Sequence, residues 1–162
     1  MATKPIIEPV HIEDLCNGPI FVGDTAAARA NKAALERHFA LEWACDIEGT
    51  MSTMHPDGPW QRIPALGVDV NGFEAVRDYY LKRFGSWPGR ALAGFSRVTV
   101  ADTCIYTEGM LDIRPTGAFG GVDMAGRTLR TPVVIVVDFR DGLVLGETVY
   151  MDASAIRGGT PD

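Results

Sequence analysis

Cysteine is scarce in this chain and badly placed for cross-linking. Cys16, Cys45 and Cys104 are odd in number, widely separated and without a Cys-x-x-Cys pair. That excludes a disulfide framework or a zinc knuckle as the basis of the fold and leaves reduced, buried thiols. Positive charge is short as well: 15 Lys and Arg stand against 21 Asp and Glu, a formal net charge of −6, with no basic stripe. Nucleic acid is therefore not expected as a partner, because phosphate recognition needs clustered cations. No apolar run approaches the roughly 20 residues that cross a bilayer. The opening MATKPIIEPVHIEDL also lacks the apolar segment of a secretory signal. A cytoplasmic location away from membranes is the expectation, and neither repeats nor low-complexity tracts interrupt the chain.

What is present is a globular balance. Hydrophobic residues make up 46% and charged residues 22% of 162 positions, enough for one core without disulfides or metal. We expect an extension at 1–24, lying on the domain or on a partner subunit, one domain over 25–157, and a tail at 158–162. The Asp24-Thr25 cap signal precedes AAARANKAALERHFALEWAC, where Leu35, Phe39 and Trp43 recur every four residues beside a stripe of Ala34, His38, Leu41 and Cys45. This predicts a long amphipathic helix. Asp46 can cap a second, short helix, stopped by Pro56-Asp57-Gly58-Pro59. WQRIP, bounded by prolines, reads as a short or edge strand. After Asn71-Gly72, Phe73, Val76, Tyr80 and Phe84 keep helical spacing, so Tyr80 is expected to point inward and Tyr79 outward. FSRVTVA, CIYTEGMLDIR, TPVVIVVDF and LVLGETVYMD then read as strands, with a Gly-rich loop at 115–127. Helices first and antiparallel strands afterwards predict an α+β domain with helices packed on one sheet face.

Asp141-Gly142 between two apolar runs signals a two-residue type I′ turn. An unbroken register from that turn pairs Arg140 with Leu143, Phe139 with Val144, Ile135 with Thr148, Val133 with Tyr150 and Thr131 with Asp152. Thr148, Tyr150 and Asp152 would then share the pocket face, and Glu147 would lie on the outer face. A carboxylate against such an aliphatic wall would have its pKa raised toward the range useful for proton transfer. Asp152 is the leading acid or base on this reading; the alternative is a strand-end cap or a pair with a rim arginine.

The order of these elements, from the Asp46 cap through Gly72 to PVVIVVDFRDGLVLGETVYMD, resembles the nuclear transport factor 2-like fold over roughly residues 25–157. Within it, the closing Tyr-x-Asp is similar to SnoaL-like polyketide cyclases and ketosteroid isomerase relatives. The resemblance implies a cone: a curved antiparallel sheet with helices on its concave face around an apolar pocket, commonly dimerising through the outer sheet face. It also implies acid–base chemistry or none, since the fold serves isomerases, cyclases, dehydratases, epoxide hydrolases and non-catalytic proteins. The isomerase base is replaced by Ile63 before Pro64, its oxyanion acid by Val134 or Ile135, and its helix-one tyrosine by His38. Of the epoxide hydrolase set only Asp152 has a counterpart. In the cyclases a pocket Asp works with a His, which here would be His55 or His38.

Other candidates follow from their positions. His55, at the expected pocket rim, could shuttle a proton, with a bond to the next turn as the alternative. Trp60 and Arg62 alternate on one face of WQRIP, as an aromatic wall with a guanidinium or as a solvent-facing pair. Glu108 lines the pocket if its face is concave, and joins a subunit contact if it is convex. Phe119 could lid the pocket, and Tyr80 shapes its wall. The expected function is cyclisation, isomerisation or dehydration of a small apolar carbonyl, polyketide or terpenoid-like substrate without metal or organic cofactor, by Asp152 with Tyr150 or His55. Water activation by Asp152 and a non-catalytic binding or assembly module are the alternatives.

Overall fold

The computed structural model describes residues 6–119 and 122–154. The elements run α1 (Ile12–Leu15), β1 (Ile20–Val22), α2 (Ala26–Trp43), α3 (Ile47–Ser52), β2 (Trp60–Ile63), a 3-10 turn (Pro64–Leu66), β3 (Val68–Asn71), α4 (Phe73–Ser86), β4 (Leu92–Val100), β5 (Cys104–Ile113), the short β6 (Ala118–Phe119) and β7 (Val122–Asp123), β8 (Leu129–Arg140) and β9 (Leu143–Met151). The class is α+β, with a curved sheet that does not close on itself.

The cap signals act as expected. Thr25 accepts from the Ala28 amide at 3.0 Å and Asp46 from the Gly49 amide at 3.1 Å, satisfying N–H groups that have no partner within their helices. The sheet has seven strands in the order β1-β4-β5-β8-β9-β2-β3. Its long strands are antiparallel, whereas β1 joins β4 and β2 joins β9 in parallel. WQRIP is thus interior to the sheet, and β3, which the sequence reading missed, is the edge. In the segment before α2, Ile12 and Leu15 are buried in the core and β1 borders the sheet. Period two along β8 is clean: Leu129, Thr131, Val133, Ile135, Val137 and Phe139 are buried under the helices, and the residues between them face out.

The final hairpin departs from the unbroken register. Asp141 and Gly142 have φ of 53° and 74°, both in the left-handed region that a type I′ turn requires. Arg140 pairs with Leu143 and Phe139 with Val144, but Asp138 then pairs with Gly146 and Val137 with Glu147, so Leu145 is an extra residue. This β-bulge reverses every face beyond it. Glu147 and Val149 turn into the core, and Thr148 and Tyr150 turn out.

Two neighbours competing for β9 account for the bulge. Val144 donates its N–H to the Thr53 carbonyl at 3.0 Å and accepts from the His55 N–H at 2.7 Å. From Gly146 onward β2 takes over as neighbour. Gly146 fits there because the Trp60 indole lies where a β-carbon would be.

Candidate functional site

The cavity is set by four elements. On α2, Phe39, Glu42 and Trp43 follow helical spacing; on α4, Tyr79, Tyr80 and Arg83 do the same, and Trp87 follows just past its end. β2 contributes Gln61 and Ile63, and β9 contributes Glu147, Val149 and Met151. Leu111, Ile113 and Ile135 floor it. The enclosed space between these walls is about 70 Å³, and about 620 Å³ when all the space out to the open mouth is included. Most of the lining is apolar or aromatic with few convergent polar groups, the usual composition of a small-molecule site.

Those polar groups form one cluster. The Arg83 guanidinium holds the Glu42 carboxylate at 2.6 Å, and both side chains are buried. Burial opposes the Arg83 charge, but Glu42, Tyr79, Tyr80 and Glu147 outweigh it and hold its pKa above the ordinary value. Glu147 is 7% exposed. Burial first, and the Glu42 charge second, push its pKa from 4.5 up to about 8, against the opposing pull of a hydrogen bond from Gln61 and of Arg83. A carboxyl with that pKa can give or take a proton near neutrality. Arg83 Nη1 and Gln61 Oε1 are buried without a hydrogen-bond partner among the described residues.

Behind the cavity wall a buried chain fixes a tautomer. Thr53 gives its hydroxyl hydrogen to the Thr50 carbonyl at 2.6 Å, so the His38 Nδ1–H must donate to Thr53 Oγ1, also at 2.6 Å. His38 Nε2 then accepts from the Tyr80 hydroxyl at 3.1 Å. Burial, more than the opposing Glu42 charge, lowers the His38 pKa and keeps the ring neutral. Glu42 lies 3.5 Å from Nε2. Among the described residues no three His, Cys, Asp or Glu side chains are grouped as metal ligands, and no helix is long and apolar enough to cross a membrane.

Compared as a sequence, the chain matches no known family profile and no curated protein. Compared as a structure it has many relatives. A candidate SnoaL-like polyketide cyclase from Jannaschia sp. CCS1 superposes with a TM-score of 0.71 at 21% identity, over 86% of this chain and 99% of that one. An NTF2-like protein from Anabaena variabilis gives 0.62 at 12%, over 80% and 93%. The chain has the nuclear transport factor 2-like fold of the SnoaL-like proteins. A candidate isomerase from Bacillus subtilis also shares this nuclear transport factor 2-like fold, with a TM-score of 0.61 at 16% identity, over 85% and 100%.

In this nuclear transport factor 2-like cone the residues expected to act are scattered. Asp152 is exposed at the sheet rim, outside the cavity lining. Its two oxygens accept from the Ser154 N–H and hydroxyl, each at 2.8 Å, so its pKa is lowered rather than raised. Tyr150 is 53% exposed on the outer face. There, Tyr150, Asp152 and Glu108 border one shallow groove, and Glu108 pairs with Arg97 at 3.3 Å, so the face that carries Glu108 is the convex one. Trp60 and Arg62 also face outward, since Gln61 and Ile63 hold the inward parity of β2. The Arg62 guanidinium lies 5.0 Å from the Trp60 ring centre and binds Asp69 at 3.1 Å.

His55 is buried beside the hairpin tip, where its ring accepts from the Asp57 N–H at 3.1 Å, the turn bond weighed as its alternative. The Phe119 side chain and the expected tail lie outside the described residues. Among the candidates whose side chains are described, Tyr80 lines the cavity, with His38 directly behind it. Tyr79 joins the wall although it was expected to face out. Glu42, Gln61, Arg83 and Glu147 were missed. Three had a signal: Glu42 is four residues from His38, and Arg83 is three and four from Tyr80 and Tyr79. Gly146 inside a strand pattern was a bulge signal for Glu147.

Proposed function

We propose that the cavity is the active site of an enzyme that moves a proton on a small, largely apolar carbonyl compound, with Glu147 as acid and base. The observation that carries this is a second buried carboxyl, Glu147, set beside the Arg83–Glu42 pair in an otherwise apolar cavity. Ionised Glu147 takes a proton from the carbon next to the carbonyl. The C–H electron pair becomes the enolate double bond and the carbonyl π electrons move onto oxygen, where an Arg83 N–H stabilises the charge. Protonated Glu147 returns the proton at another conjugated carbon, which gives isomerisation, or the enolate carbon attacks a second carbonyl and the alkoxide formed takes the proton back from Glu147, which gives cyclisation. The structural relatives named as candidate cyclases and a candidate isomerase support this class of reaction.

Solvent deuterium exchange tests it without a known substrate. Aryl and cyclic ketones incubated with the protein in heavy water should lose their α-proton signals by NMR. Glu147→Gln should slow that exchange by about 100-fold or more, in the range usual for general bases. Exchange that no ketone shows above the buffer rate, or that persists in the variant, would sink the reading.

A second reading has its own support on the outer sheet face. Tyr106, Val134 and Tyr150 are exposed there at 50%, 37% and 53%, on the adjacent strands β5, β8 and β9. We propose that two copies pair through this face. Val134→Glu should then lower the sedimentation mass to that of a monomer, and a wild-type protein already monomeric would refute it.

A further inference from the structure

Two buried polar atoms in the cavity wall point to the kind of ligand it selects. Arg83 is 5% exposed and Gln61 1%. Arg83 commits Nη2 to Glu42, leaving Nη1 as a donor without a partner among the described residues. Gln61 lines the cavity beside Glu147, and its Oε1 is an acceptor without a partner among the described residues. Both residues line the same apolar space. A buried donor and a buried acceptor left unpaired are unfavourable, and a site built around such groups rejects ligands that fail to pair them.

Charge narrows the class further. Glu42 already neutralises Arg83, so a carboxylate would bring an uncompensated negative charge next to Glu42. An ammonium would need ionised Glu147 as its counterion, a form that burial and the neighbouring Glu42 charge oppose, and would also face the Arg83 charge. We propose that the cavity selects an uncharged ligand carrying both a carbonyl oxygen, which accepts from Arg83 Nη1, and a separate hydroxyl or N–H, which donates to Gln61 Oε1. This rests on the cavity being the substrate site, but not on Glu147 moving a proton. Gln61 is then the residue that sets specificity, and Arg83 the one that orients the reacting carbonyl.

Titration calorimetry with the intact protein tests it, using para- and meta-hydroxyacetophenone, acetophenone, para-hydroxybenzoate and para-hydroxybenzylamine. At least one hydroxyacetophenone should bind tighter than acetophenone by roughly ten- to a hundredfold, the effect of one buried hydrogen-bond partner. The benzoate and the benzylamine should bind more weakly than either ketone. In Gln61→Met, which keeps side-chain length, the advantage of the hydroxylated over the plain ketone should vanish. The wild-type comparison stands by itself if that variant does not fold. Equal affinity for the hydroxylated and plain ketones, preference for a charged compound, no binding by any of them, or an advantage that survives in Gln61→Met would each overturn the proposal. A confirmed preference without α-proton exchange would refute the catalytic reading alone.

Discussion

Replacing Glu147 by Gln should change how stability depends on pH more than any other single substitution in the cavity. Gln keeps the shape of the protonated carboxyl and removes the ionisation. The folded-state pKa of about 8 lies above the ordinary 4.5, so between those values the folded chain holds a proton that the unfolded chain has released. Stability therefore falls as pH rises through this window, and the whole contribution is gone above about 8. At about 1.4 kcal/mol per pH unit, the full interval is worth at most about 5 kcal/mol. The part between about pH 5.5 and about pH 7.5 comes to about 2 kcal/mol. Urea unfolding of both proteins at about pH 5.5, 7.5 and 9 measures it, because every other titrating group is common to the pair and cancels. The wild type should lose about 2 kcal/mol more than the variant between the first two conditions, with little further divergence above pH 9. Parallel profiles would mean that Glu147 is ionised in the fold, and the acid–base proposal would lose its physical basis.

Arg83→Met should destabilise by about 3–5 kcal/mol in urea unfolding because it strands the buried Glu42 charge. Adding Glu42→Gln should restore most of that loss, and a double variant no better than the single would show that the ion pair is not the cause. Gly146→Ala should cost about 1–3 kcal/mol by overpacking against the Trp60 indole. In a Trp60→Ala background the same change should be close to neutral, and additive costs would refute the contact. Asp152→Asn should leave α-proton exchange unchanged, since both carboxylate oxygens bond Ser154 outside the cavity. A loss of exchange there would return Asp152 to the mechanism.

Much of the architecture was legible because it depends on neighbours in the chain. Helix caps at Thr25 and Asp46, the Asp141-Gly142 turn and the alternation along β8 are local, and each acts in the structure as its residues indicate. The parity of WQRIP was local too, but which parity faces inward was not. Trp60 and Gln61 are equally acceptable inward until the curvature of the sheet and the position of α4 place Gln61 and Ile63 in the cavity.

Glu147 makes the same point with greater consequence. The turn alone favoured the register that put Asp152 inside. The choice was made by Thr53 and His55 bonding Val144, and by the Trp60 indole over Gly146, contacts from segments some 80 to 90 residues earlier in the chain. One extra residue at Leu145 then exchanged the faces of Glu147 and Tyr150. The sequence by itself determined an α+β chain whose caps, turn and strand periods act over a few residues. Which carboxyl reaches the cavity, and what stands beside it, was decided by tertiary pairing, because a strand carries side chains to both faces and only its neighbours choose between them.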